Sequence, residues 1–341
     1  MICVLTGQWN HLQERVNEAV TGAMAAGTRS NLRTQWRKYK QFCIEYKLPR
    51  SLPVSVDMIC GYIVYLSQQF KSPGSIRNYV YGLKLVHVIR EMTVEQFANI
   101  KVKWVMKGVA KCMRHNKHQA YPMSPELLYK MGKCLNYEVE KDLTFWALSL
   151  FAFYLMLRKS NLVPDSPKKV DTTKQLTRGD VRLADFGLTV SCKWSKTNQE
   201  GDRAFEAPLL PLQSGSLCPV GAYLRMCERI PASSKQLAFV FHRKGKLVPF
   251  TYSMWHRKLR SCLRQIGEDP RMYSSHSFRR GGATFAFKAQ VPGEIIQLMG
   301  DWRSQCYREY LHVPLQTRVQ AAREVMRQVD RESERWLEGD C

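Results

Sequence analysis

Acidic residues are scarce in this 341-residue chain: 29 Asp and Glu stand against 52 Lys and Arg, a formal net charge of +23. That imbalance argues against a cationic partner and for a polyanionic one, because Lys and Arg that neutralise phosphates release condensed counterions. No Cys-x-x-Cys pair occurs among the 11 cysteines, whose number is odd and whose spacing is irregular. This excludes a disulfide framework and fits a reducing compartment. Long apolar runs are missing too: the most apolar stretch, 145–157, holds 13 residues and is too short to span a bilayer. Residues 1–7 lack the basic lead and apolar core of a secretory signal. There is no Walker loop or dinucleotide fingerprint, and the weak Cys112, His115 and His118 cluster in a basic stretch is not taken as a zinc site. The expectation is an intracellular, nuclear protein with no cofactor, no metal, no membrane contact and no small-molecule substrate.

What is present is apolar enough to fold: 45% of residues are hydrophobic and 11% aromatic, and the length suffices for two domains. The fold class expected is mainly α with a small antiparallel β-sheet (α+β). Residues 1–27 read as a poorly ordered lead with a short helix at 8–20. A helical domain follows over 28–115, a linker over 116–124, and a second domain over 125–341. In the first domain, Leu32, Trp36, Tyr39, Phe42 and Tyr46 recur at helical spacing. Further helices are expected at 56–70, 75–90 and 93–113, the last broken. Between 28 and 120, 17 basic residues face four acidic ones, the footprint of a small DNA clamp. Arg33, Arg37, Lys40, Arg77, Lys84, Lys107 and Lys111 are its candidate phosphate contacts. In the second domain, helices are expected at 125–136 and 142–159. Alternating residues over 180–210 read as strands. Helices resume at 220–230, 251–266, 277–289 and 291–299, with a last amphipathic one at 315–336.

The chemistry-bearing residues come in the order Arg158, Lys196, His276-x-x-Arg279, then Gly300-Asp301-Trp302-Arg303-Ser304 and, closing that segment, Tyr310. An arginine ending an apolar helix can hold a phosphate by two parallel hydrogen bonds. His276 and Arg279, three apart, project to one helix face, and an imidazole can move a proton near neutral pH. The Gly281-Gly282 that follows lets backbone pack closely; Arg280 is the competitor of Arg279. Lys196, on a hairpin turn, can reach a departing oxygen as general acid, with Lys193 as its rival. Tyr310 is a candidate nucleophile that would need activation, since a free phenol titrates near pH ~10; Tyr307 is its competitor.

This order resembles the tyrosine recombinases, the phage-integrase family, and is most similar to the versions carried by eukaryotic mobile elements such as Cryptons and DIRS-like retrotransposons. The resemblance covers about 28–320, and its specific part is the His-x-x-Arg box followed by Gly-x-Trp-x-Ser and a tyrosine. It implies a helical core-binding domain and a catalytic domain that close as a C-shaped clamp on double-stranded DNA. It implies a site-specific recombinase or integrase that works through a 3′-phosphotyrosyl intermediate without metal or ATP, as a homo-oligomer, a tetramer on DNA. The last helix would then pack on a neighbouring protomer. Arg158, Lys196, His276, Arg279, Trp302, Asp301 and Tyr310 take the catalytic positions. Two residues depart from the pattern. Asp301 stands where the family places His or Trp, so either the Trp302 indole supplies the N–H or the site is weakened. Asn161 stands where an acidic residue is usual. A non-enzymatic DNA-binding protein that kept the clamp is the rival reading; an RNA-binding adaptor lacks an aromatic single-strand motif.

Overall fold

The computed structural model describes residues 2–113, 119–194, 205–213, 215–302, 304–311, 319–320, 322–327 and 329–330. The chain divides into two compact units, Met1–His118 and Gln119–Cys341. The fold is mainly helical with small antiparallel sheets, as the sequence pattern predicts. No helix among the described residues is long and apolar enough to cross a membrane.

The first unit holds α1 (Ile2–Gly22), α2 (Ala26–Glu45), α3 (Val56–Gln69), α4 (Pro73–Ile89) and α5 (Ile100–Cys112), with a 3-10 turn, Glu95–Ala98, ahead of α5. Helix α1 runs well beyond the short helix expected at 8–20. Helix starts follow local chemistry. Ser55 Oγ accepts from the Met58 N–H and Ser72 Oγ from the Gly74 N–H, both at 3.2 Å, and Pro73 opens α4 where its missing N–H costs nothing. The core gathers Tyr39, Phe42, Ile59, Tyr62, Ile63, Leu66, Ile76 and Leu83. His87 is fully buried within the unit. Its Nε2 accepts from the Val54 N–H at 3.0 Å and its Nδ1 faces the Leu83 carbonyl at 2.8 Å, so the ring proton must sit on Nδ1.

The second unit is built around α7 (Glu140–Tyr154), whose residues 142–153 are all buried. Around it lie α6 (Pro125–Lys133), α9 (Pro219–Arg229), α10 (Tyr252–Gln265) and α11 (Ser275–Lys288). The short helices α8 (Lys159–Leu162) and α12 (Gly293–Met299) flank the functional residues. Strands β1 (Val181–Ala184), β2 (Gly187–Cys192) and β3 (Phe205–Leu209) form an antiparallel sheet in that order. Leu188 lies opposite Leu209 and Val190 opposite Ala207, so one face is apolar and buried. A hairpin, β4 (Val240–Arg243) and β5 (Lys246–Pro249), falls in a region where the sequence reading placed no strand. Ahead of α6, the Tyr121 N–H donates to the Met272 carbonyl at 2.7 Å and the Met123 N–H to the Ser277 carbonyl at 2.8 Å. This strap ties the unit's first residues to the start of α11. Residues 319–320, 322–327 and 329–330 are helical, within the last helix expected.

Candidate active site

Arg158 does not end the apolar helix, as expected from a helix over 142–159. Helix α7 stops at Tyr154, Met156 turns the chain through a left-handed conformation (φ 49°), and Arg158 is the extended residue capping α8. A left-handed methionine costs on the order of 1 kcal/mol, and its carbonyl is compensated by a strong donor. That donor is Arg279, whose Nη1 reaches the Met156 carbonyl while Nη2 donates to the Gly300 carbonyl at 2.8 Å. The Arg279 side chain is 1% exposed, and its guanidinium lies 3.9 Å from the centroid of the Trp302 ring. Arg279 thus pins together the turn that carries Arg158 and the turn that carries Asp301.

Helix α11 brings Arg279 and His276 there. Ser274 caps it in a reciprocal capping box with Ser277. Gly281 and Gly282 let it sink: a Cβ at Gly281 would lie 2.0 Å from the Met123 carbonyl oxygen, and one at Gly282 would lie 2.0 Å from that of Phe153. His276 keeps an exposed edge. Burial of the rest, then the charges of Arg279, Arg158 and Lys159, hold its imidazole below the ordinary histidine range. At neutral pH it is therefore an unprotonated base surrounded by cations. Lys159 itself pairs with Asp165 at 2.7 Å.

Across this cluster, Asp301 Oδ2 lies 3.8 Å from Arg158 Nη1. Asp301 is itself left-handed (φ 49°), and Trp302 folds back over Gly300, leaving no room for a Cβ there. The Trp302 ring is 4% exposed and packs with Met156, Ala283, Ile296 and Tyr307. Cys192, the last residue of β2, borders the same place: burial, then Asp301 and Asp180, push its thiol up to about 12.

The competitors raised by the sequence are occupied elsewhere. Tyr307 is a core residue whose hydroxyl abuts Gly293. Lys193 Nζ pairs with the buried Asp180 at 2.5 Å. Arg280 donates to Gln119 Oε1 at 2.9 Å. Tyr310 ends a 3-10 helix, Gln305–Tyr310, that packs on α11 and α12, and it is described by its backbone alone. Lys196, Arg303, His115 and His118 lie outside the described residues. Asn161 donates from Nδ2 to the Trp194 carbonyl, tying α8 to the entrance of the segment that contains Lys196. In the first unit, Arg33, Arg37 and Lys40 on α2, Arg77 on α4, and Lys107 and Lys111 on α5 are exposed; Lys84 on α4 is half-buried. Arg77 and Lys84 line a cavity of about 260 Å³ together with Tyr81 and Lys103. Sequence reasoning missed Lys159 as part of the cluster, although its place beside Arg158 was a signal.

No protein-family model matches the sequence, and no curated protein matches it. Solved structures do. The chain is similar to the XerH site-specific recombinase in a post-cleavage complex with palindromic difH substrate: TM-score 0.62, 18% identity, over 91% of this chain and 82% of that one. It is similar to the Tn1549 transposon integrase in complex with transposon right end DNA: TM-score 0.61, 13% identity, over 92% and 96%. A lambda integrase dimer bound to a COC′ core site gives TM-score 0.52 at 13% identity, over 89% and 95%. The chain therefore has the fold of the tyrosine recombinases and integrases.

Proposed function

We propose that this chain is a site-specific DNA recombinase or integrase of the tyrosine type, of the kind carried by Crypton or DIRS-like mobile elements. The observation that carries the reading is convergence. Arg158, Arg279 and His276, from segments about 120 residues apart, meet beside the short helix that ends at Tyr310. In this reading Arg158 grips the scissile phosphate and Arg279 holds the surrounding turns, adding positive charge as the phosphorus passes through an anionic transition state. His276, unprotonated at neutral pH, takes the proton of the Tyr310 phenol. The phenolic oxygen forms a bond to phosphorus as the bond to the 5′ oxygen breaks, giving a 3′-phosphotyrosyl ester. Lys196 supplies the proton that the departing 5′ oxygen needs. The ester keeps the bond energy, so rejoining is the reverse attack by a 5′ hydroxyl, with neither ATP nor a metal ion entering the balance.

The first unit is the proposed DNA clamp, with Arg33, Arg37, Lys40, Arg77, Lys84, Lys107 and Lys111 on the phosphates and a homotetramer as the working assembly on DNA in the nucleus. Affinity is then expected to fall by ~0.9 log unit per log unit of salt for each phosphate neutralised. The test of chemistry is a denaturant-resistant adduct with nicked suicide duplexes drawn from a random pool. Wild type forms it and Tyr310→Phe does not; an adduct that persists in Tyr310→Phe refutes Tyr310 as nucleophile. One observation favours a second reading, a DNA-binding protein without strand transfer: the Asp301 carboxylate stands on Arg158. Absence of any adduct in wild type selects that reading.

A further inference from the structure

We infer that Asp301 is a built-in counter-ion occupying the phosphate slot of Arg158, which an incoming phosphate must displace. The inference rests on the reading of Arg158 as the phosphate-gripping residue. Its first support is geometric: Asp301 Oδ2 is 3.8 Å from Arg158 Nη1, and both side chains keep an open side, 31% and 20% exposed. Neither group is sealed away from solvent, as a site that admits an external oxyanion requires. Asp301 is also the ion-pair partner of Arg158 among the described residues, while the neighbouring Lys159 is drawn off by Asp165.

The second support is rigidity. The carboxylate is not at the end of a loose loop. Its backbone is left-handed, a conformation that aspartate and asparagine tolerate better than most residues. The preceding carbonyl, of Gly300, is held by Arg279, and the following ring, of Trp302, is clamped between Gly300 and the Arg279 guanidinium. The third is charge. Arg158, Lys159 and Arg279 all bear on His276, so an acidic side chain here offsets like-charge repulsion while no phosphate is bound. Once a phosphate arrives, the same carboxylate repels it. A histidine or indole in this position would add a donor to the phosphate; a carboxylate makes the slot self-filled.

The consequence is a penalty on oxyanion binding that is removable by an isosteric change. The test follows the ring resonances of labelled His276, assigned with a His276→Asn variant, during titration of the full-length chain with inorganic phosphate at low salt. This readout ignores phosphate bound elsewhere on a basic surface. Asp301→Asn keeps the side-chain shape and the left-handed preference, and its thermal midpoint verifies the fold. Asp301→Asn is expected to bind phosphate about 10-fold more tightly than wild type, equivalent to ~1.4 kcal/mol. Asp301→Glu is expected to stay near wild type. In an Arg158→Gln background the same Asp301→Asn change is expected to give a clearly smaller gain, the part owed to lost carboxylate–phosphate repulsion alone, whereas a merely structural role would give the same gain in both backgrounds. Equal or weaker phosphate binding by Asp301→Asn overturns the inference, as does an undiminished gain in the Arg158→Gln background. The adduct assay is read separately: adduct without a phosphate effect sinks the counter-ion alone, and a phosphate effect without adduct sinks strand transfer alone.

Discussion

Replacing Arg279 by methionine should unfold the site before it merely weakens a contact. Two carbonyl oxygens, of Met156 and Gly300, take their hydrogen bonds from this one guanidinium, and the Trp302 ring lies against its face. Leaving a buried acceptor without its donor costs about 1–3 kcal/mol, and a desolvated cation–ring contact contributes about 2. Against this, methionine removes the desolvation penalty of a buried charge, which lowers the sum. A net loss of about 3–5 kcal/mol follows for the second unit. For a unit of this size each kcal/mol moves the midpoint by about 2–4 °C, so its melting transition should drop by about 6–20 °C. Calorimetry of the full-length chain, reading the second unit's transition, measures it. Hydrogen exchange over 153–158 and 297–302 should show the two tethered turns losing protection together. Arg271→Met, which removes an open pair with Asp269, serves as the control and should leave the midpoint where it was. An Arg279→Met protein with an unchanged transition and intact protection would refute the tether, whatever happened to DNA cleavage.

Two further changes probe packing and proton transfer. Gly282→Ala places a Cβ against the immovable Phe153 carbonyl and should destabilise the second unit by about 3 kcal/mol or more in urea unfolding, whereas Gly108→Ala, on the open face of α5, should stabilise the first by up to about 1. Lys159→Gln removes one of the cations that depress His276 and releases the Asp165 carboxylate, so the imidazole rises towards its ordinary range. Under the proposed role of His276 as the base for Tyr310, adduct formation needs that ring unprotonated, so the acid limb of the pH–rate profile should move to higher pH; a limb that stays put would separate His276 from the proton transfer. The same depression bears on stability. Below the ordinary histidine range the unfolded chain takes up a proton that the folded ring refuses, so wild type should lose stability as pH falls through that window, and Lys159→Gln less so.

Local chemistry made much of this legible. The Ser124-Pro125 pair marks the start of α6, and the alternation in β2 and β3 marks which face is buried; Ser72-Pro73 opens α4 two residues before the start expected at 75. The glycine pair after Arg279 announces a close approach, although not that Met123 and Phe153 are the surfaces approached. The end of α7 was not legible, because nothing in Leu155-Met156-Leu157 disfavours helix; the left-handed Met156 is held by a guanidinium 123 positions away. The β4–β5 hairpin was missed although Lys244-Gly245, both at positive φ, is a turn signal, since its apolar run reads equally as the end of a buried helix. In the site, residue types and order were visible, but roles depend on partners. That Tyr307 is core and Lys193 is paired follows only from what surrounds them. Arg158 and Asp301 stand 143 positions apart, and no spacing rule relates them.

The strap at the start of the second unit has a kinetic corollary. Met123 and Ser277 are bonded across a loop of about 150 residues, and the first turn of α11 carries His276. Closing so distant a contact costs loop-closure entropy that contacts formed within the loop help to offset, so the seam is expected to form after much of the intervening chain is ordered. The imidazole is therefore expected to come into register late in assembly. A fragment beginning after Met123 should keep its helices and yet lack the seam against which that turn is set.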